Sequence, residues 1–265
     1  MNGPLAHRTW SPSEPANAPV ALLLHGITGS SATWWRVGPA VADAGWRVIA
    51  LDLPGHGESP RMEQPMKVGQ WALAVRDTVR NLVGERELDF ALGHSAGAAT
   101  VLEVLALEPG IARRVVLEDP PGAGDVSRPD RAEQLEREVA VARRHPEGYA
   151  RQLRRLNPGW APQDADETVA ALQTCEIDVI AEMERRGMGY RVVELLPTVA
   201  APTLLMLAEE EHSSLADEAR QAALNGLAPM TQPVDFPTGH AIHRNAFDGY
   251  LATLFRWLGA MDDPA

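Results

Sequence analysis

The stretch FALGHSAGAAT, residues 90–100, decides how the rest of the chain reads. A short apolar run meets one serine, Ser95, with Gly93 and Gly97 two positions away on either side and small residues following. This is the composition that a strand needs if it is to turn sharply into a helix. The central residue of such a corner is forced into a strained backbone conformation. Residues two positions away approach so closely that larger side chains would collide. In return a serine hydroxyl stands clear at the carboxyl end of the sheet, beside the first N–H groups of a helix. The pattern G-x-S-x-G alone arises often by chance; its place between a strand pattern and a helix pattern makes it specific.

The same rhythm of strand and helix recurs on both sides. VALLLHG (20–26), WRVIALDLPG (46–55), RRVVLEDPP (113–121) and PTLLMLAEE (202–210) are continuous apolar runs like LDFALGHS (88–95), with QPVDFPTG (232–239) a weaker sixth. Continuous rather than alternating hydrophobicity marks strands covered on both faces. Helical patterns fall at about 32–44, 68–83, 96–108, 215–226 and 245–259. Alternation of this kind predicts an α/β fold with a mostly parallel, doubly wound sheet. From Gly122 to Leu196 no strand pattern occurs. RAEQLEREVAVARRH, YARQLRRL, DETVAALQTCEIDVIAEMERRG and YRVVELL read as helices separated by Pro and Gly. A connection this long predicts an inserted helical unit, so the expected organisation is a core of residues 1–121 and 197–265 with an insertion over 122–196.

Composition narrows the function classes. The 265 residues are 45% hydrophobic, enough to bury a full core. Acidic residues number 36 against 24 basic, a net charge of −12, which disfavours nucleic acid and anionic membrane as partners. The single cysteine, Cys175, excludes an intramolecular disulfide and a cysteine-rich metal site. The first residues lack the apolar core of a signal peptide, and no apolar run reaches the roughly 18–20 residues that span a bilayer. A soluble cytoplasmic protein, monomer or homodimer, is the expectation.

Four segments, in order, carry a resemblance that covers nearly the whole chain. LLLHGITGSSATWW, DLPGHGES, GHSAG and PTGHAIHRNAFDGYLATLFRWL resemble the oxyanion loop, the loop after the fourth strand, the nucleophile elbow and the histidine loop with last helix of the α/β-hydrolase superfamily. The resemblance implies a serine hydrolase of esterase or lactonase type, with the insertion as a helical cap. It implies no cofactor and no metal. The N-terminus looks too short for the pair of leading strands that many members have.

An unaided hydroxyl is a poor nucleophile near neutral pH, so Ser95 needs a base within hydrogen-bond reach. His240, after PTG, stands where the family keeps its base. His243 is expected to be a solvated or capping side chain. His94 should point away along its strand, and His25 and His56 should brace their loops. A carboxylate should hold His240 in the right tautomer. The family's usual G-x-x-D after the seventh strand is replaced here by AEEEH, 208–212, where Glu211 takes the matching position. The competitor is Asp119 at the end of VVLED, a site some members use. Asp119 is preferred, with Glu211 as the alternative. Attack on a carbonyl creates an oxyanion that backbone N–H groups must meet; the resemblance assigns those of Ile27 and Ala96. Candidates for the pocket wall are Trp34, Trp35, Trp160, Met183, Met188 and Tyr190, suggesting a hydrophobic acyl or ring system in the ligand.

The expected reaction is cleavage of a carboxylic ester or lactone of a hydrophobic small molecule through an acyl-enzyme. A C–C bond hydrolase, or a cofactor-free oxygenase or lyase, would use the same scaffold. A ligand-sensing protein with a degenerate site is the alternative outside enzymes. Haloalkane dehalogenases and epoxide hydrolases of this fold carry aspartate at the elbow, where this chain has Ser95. Proline iminopeptidases carry HGGPG where it has HGITG.

Overall fold

The run Val20–Leu24 forms strand β2, and all five residues are buried. Val20, Leu22 and Leu24 enter one apolar cluster, while Ala21 and Leu23 enter another. A strand that must be apolar on both sides is one covered on both sides. The computed structural model describes residues 3–14, 17–122, 124–215 and 217–262. Position 216, inside the helix expected at 215–226, and the chain ends at 1–2 and 263–265 lie outside the described residues.

Six further strands complete one sheet: β1 (His7–Trp10), β3 (Arg47–Leu51), β4 (Leu88–His94), β5 (Ala112–Glu118), β6 (Thr203–Leu207) and β7 (Thr231–Asp235). Their order across the sheet is β1-β3-β2-β4-β5-β6-β7. Only β1 runs antiparallel, with His7 opposite Leu51 and Trp10 opposite Val48. The other neighbours pair in parallel, Leu22 with Ile49 on one side and Ala91 on the other. This is the doubly wound, mostly parallel arrangement expected from the sequence. One leading strand, β1, is present that the apolar pattern did not mark. Its residues His7, Arg8 and Thr9 are exposed, as suits an edge.

Helices α1 (Val37–Asp43), α2 (Val68–Val83) and α3 (Ala96–Leu107) alternate with the early strands. Between β5 and β6 come α4 (Pro129–Arg144), α5 (Pro146–Leu156), α6 (Pro162–Thr174), α7 (Ile177–Arg186) and the short α8 (Val192–Leu195). After β6 follow α9 (Asp217–Asn225), α10 (Ile242–Asn245) and α11 (Phe247–Asp262). The cluster on one face of the sheet joins α2 and α3 to residues of α4, α6 and α7. The other joins α1 to α11 through Val37, Val41, Tyr250, Leu254 and Leu258.

The connection between β5 and β6 is tied to the carboxyl ends of the strands. Trp35 Nε1 donates to Asp164 Oδ1 of α6 at 2.9 Å. Trp160 Nε1 donates to Asn245 Oδ1 at 3.0 Å. The stretch expected as a single helix, 166–187, is broken between α6 and α7. Glu176 at the break donates its N–H to Gly55 O at 2.9 Å and accepts from Met62 N at 2.8 Å. Among the described residues no helix is long and apolar enough to cross a membrane.

Candidate active site

Strand β4 ends at His94 and α3 begins at Ala96. Ser95, between them, has φ 53° and ψ −120°. A non-glycine residue in such a conformation costs about 1–3 kcal/mol and persists only when its surroundings fix it. Here they do. Ser95 N–H donates to Glu118 O of β5 at 2.8 Å, and Ser95 O accepts from Ala98 N at 2.9 Å. A Cβ on Gly93 would overlap the backbone of Gly97, and one on Gly97 would overlap the carbonyl oxygen of Leu24. Both glycines are therefore demanded by the corner. Ala96, the first residue of α3, has no carbonyl one turn back to bond its N–H.

Ser95 and Ile27 line a cavity of about 870 Å³, together with Gly26, Thr28, His94 and His240. The turn that carries Ile27 is fastened by two buried histidines. His25 donates from Nδ1 to Gly26 O at 2.8 Å and accepts Leu53 N–H at Nε2 at 3.0 Å. His56 donates from Nδ1 to Pro54 O at 2.9 Å and accepts Thr28 N–H at Nε2 at 3.1 Å. Each ring gives one proton and takes one, the pattern of neutral imidazole. Burial holds both below the usual histidine range, His56 down to about 3.

Asp119 follows β5 with φ 42° and is fully buried. Its carboxylate accepts from Ala208 N at 3.1 Å, Ser213 Oγ at 2.5 Å and Ser214 N at 2.8 Å. The fourth donor is His240, whose Nδ1 lies 2.5 Å from Asp119 Oδ2. That bond assigns the ring proton to Nδ1 and leaves Nε2 as the basic nitrogen. Glu211, the alternative acid, sits exposed in a short 3₁₀ turn, Glu210–His212, and no bond joins it to His240 among the described residues. The turn directs the following serines, not the glutamates, at Asp119.

The sequence did not single out Ser213 and Ser214. Ser214 Oγ lies 3.2 Å from His240 Nδ1 and 3.3 Å from Nε2. Among the described residues neither ring nitrogen is bonded to Ser95. The only available signal was a pair of hydroxyls just after the apolar run of β6, and such pairs are common in loops.

Two histidines differ from expectation. His94 does not point away: its ring lies 4.6 Å from that of His240, and Nε2 donates to His240 O at 3.2 Å. The turn at Ser95 rotates the last strand residue toward the cavity that it now lines. His243 is neither solvated nor capping. It is buried, and its Nδ1 meets Glu118 Oε1 at 2.8 Å while its N–H donates to the same oxygen at 2.9 Å. Burial holds His94 and His243 well below the ordinary histidine value and pushes Glu118 up. His94, Glu118 and His243 also bring possible ligand atoms within 4.8 Å of one another. Glu118 and His243 are already spent on each other there.

Of the expected wall residues, Trp160 and Tyr190 line the cavity. The other four lie elsewhere. Trp34 is buried with its ring 4.7 Å from that of His243. Trp35 turns its indole to Asp164. Met183 and Met188 are consumed in the core beneath the α4–α8 segment. Their places are taken by Arg128, Arg131, Gln134, Asn157, Arg244 and Asn245. The wall is thus more polar and more basic than the hydrophobic one expected.

Comparison with known proteins agrees with the fold. A family model described as the alpha/beta hydrolase fold matches residues 19–173. The magnesium-chelatase 30 kDa subunit of Rhodobacter capsulatus is 29% identical over 261 residues, covering 92% of this chain and 88% of that protein. The N-formylmaleamic acid deformylase of Pseudomonas putida S16 superposes with a TM-score of 0.75 at 21% identity, covering 94% of both chains. The enol-lactonase of Burkholderia xenovorans LB400 gives 0.72 at 17%, covering 96% of both. With the matched segment spanning more than half of its length, from before β2 to the end of α6, this chain belongs to the alpha/beta-hydrolase family.

Proposed function

We propose that the protein is a serine hydrolase that cleaves a carboxylic ester or lactone, with residues 122–196 as the cap over its site. The observation that carries this reading is the bond from the buried Asp119 to His240, whose ring faces the cavity where the strained Ser95 stands. Ser95 Oγ attacks the carbonyl carbon as His240 Nε2 takes the hydroxyl proton. The carbonyl oxygen becomes an oxyanion that accepts from the N–H groups of Ile27 and Ala96; each such donor is typically worth about 2.7–4 kcal/mol. Collapse breaks the bond to the leaving oxygen, which receives the proton from His240. Water then adds to the acyl-enzyme with His240 as base again, and the acid departs from Ser95. Ser214 Oγ shares the edge of the ring, so Ser95 must displace it for the first proton transfer.

Labelling with a fluorophosphonate probe, followed by peptide mapping, tests this. An adduct on Ser95 that is absent from Ser95→Ala is the expected result, together with hydrolysis of a 4-nitrophenyl ester. A folded protein that stays unlabelled at Ser95 and leaves the ester intact overturns it.

A further inference from the structure

Arg244 lines the same cavity as Ser95 and His240. Among the described residues no acidic oxygen lies within ion-pair distance of its guanidinium. Nη1 donates to Thr168 Oγ1 at 2.7 Å. Nε is shut off from solvent and has no hydrogen-bond partner at all. The group lies over the ring of Trp160, 4.9 Å from its centre. Asp164, an acid that pulls on it electrostatically, is already engaged: Oδ1 takes Trp35 Nε1, Oδ2 takes Ala161 N, and Arg36 stands 3.9 Å away. Burial pulls the guanidinium below its ordinary value, with Asp164 and Glu118 pulling it back. A cation removed from water with its counter-charges held at a distance is costly, and such a group is kept where a ligand can supply the contacting charge.

The rest of the wall points the same way. Arg128 and Arg131 line the cavity too, and their acidic neighbours stay beyond hydrogen-bond distance: Glu184 at 3.9 Å and Glu138 at 3.8 Å. Glu184 is the one carboxylate in the lining, and burial pushes it up, toward its neutral form. Three arginines against one glutamate make this a cationic hollow in a chain of net charge −12. Low-dielectric walls focus such a field on an entering anion.

We propose that the cavity accepts a substrate bearing a free carboxylate, and that Arg244, braced by Trp160 and Thr168, is the group that receives it. This rests on the serine-hydrolase reading and deepens it. The planar guanidinium matches a planar carboxylate better than an ammonium does. Asn157 and Asn245, also in the lining, supply neutral polar groups for the remainder of the ligand. The scissile carbonyl lies at Ser95, and the carboxylate lies across the hollow at Arg244.

Two matched esters test the idea: mono-4-nitrophenyl glutarate, which carries the charge, and 4-nitrophenyl pentanoate, which does not. Wild-type protein is expected to favour the glutarate in kcat/KM by tenfold or more. Arg244→Gln reduces that preference at least tenfold, chiefly through KM, and Arg244→Lys retains part of it. Circular dichroism of both variants guards against misfolding. A wild-type preference for the pentanoate, or a ratio unmoved by Arg244→Gln, overturns the proposal while leaving Ser95 as nucleophile. Calorimetric titration with monomethyl glutarate decides the matter independently of turnover. Binding to wild type that weakens tenfold or more in Arg244→Gln supports the arginine site even if Ser95 proves unreactive. Absence of binding to the wild type, or equal binding to both, removes the site.

Discussion

Asp119 has a left-handed backbone, full burial and four donors, whereas Glu211 has an exposed turn and none of these. Four bonds fix the direction of the Asp119 carboxylate toward His240, which is what a positioning acid requires. Asp119→Asn should therefore lower kcat by about 10⁴-fold, as expected when the base is held in the wrong tautomer. Glu211→Gln should stay within about twofold of wild type, as surface changes do. Steady-state hydrolysis of a 4-nitrophenyl ester measures both, and a larger loss in the glutamate variant would reverse the assignment. At this scale the sequence was legible where a residue sits in a local motif. Ser95 was singled out by the glycines and the strand end that flank it, and His240 by the resemblance of PTGHAIHRN to the family's histidine loop. The acid was left open because its choice depends on where the chain after β6 bends, and neither Glu211 nor Ser214 encodes that bend locally. Cys175 is buried, and burial pushes its thiol up to about 12.

The corner between β4 and α3 shows how one element depends on its neighbours. Gly97 packs against the carbonyl oxygen of Leu24 in β2, so its missing side chain belongs to the sheet as much as to the helix. Gly97→Ala should destabilise the protein by about 3 kcal/mol, the upper range for an overpacked site. Urea unfolding monitored by circular dichroism checks the value, and a loss below about 1 kcal/mol would mean that the backbone gives way easily. Elements with their own strong pattern were readable: α2 runs from Val68 to Val83 as the apolar spacing predicts. Tertiary context hid β1 and the break between α6 and α7, and it weakened the signal of β7, which the run at 232–239 marked only faintly. The exposed β1 owes its place to pairing with β3 rather than to apolar residues. Strand β7 contains Pro233 and is largely exposed, which an edge tolerates and a pattern search discounts. The break between α6 and α7 has no glycine or proline; it exists because Glu176 is claimed by Gly55 and Met62.

Across the whole molecule, four buried histidines set the response to acid. His25, His56, His94 and His243 all have pKa values lowered, first of all by burial. In the unfolded chain each takes a proton as pH falls through about 6.5. In the fold His56 waits until about 3. Between those limits the unfolded state binds more protons, so stability is full above about pH 6.5 and is lost as pH falls toward 3. Glu118, raised by burial, opposes this: it favours the fold at low pH and weakens it as pH rises. With four histidines against it, the net slope should be a fall in urea midpoint from pH 7.5 to pH 5. Each unit of pKa separation is worth about 1.4 kcal/mol. His56→Gln should flatten the slope, and a midpoint independent of pH would show that the rings are not neutral in the fold.

The strained backbone of Ser95 has a consequence for the order in which the molecule forms. The serine is held by β5 through Glu118, and its helix is seated on β2 through Gly97. No local segment can hold that geometry alone. If Ser95 is the nucleophile proposed, its reactivity should arrive late in refolding, once the three strands that fix the corner have docked. A stopped-flow refolding experiment with a fluorogenic phosphonate present would see helix signal first and covalent capture afterward, which turns the nucleophile into a clock for assembly of the sheet.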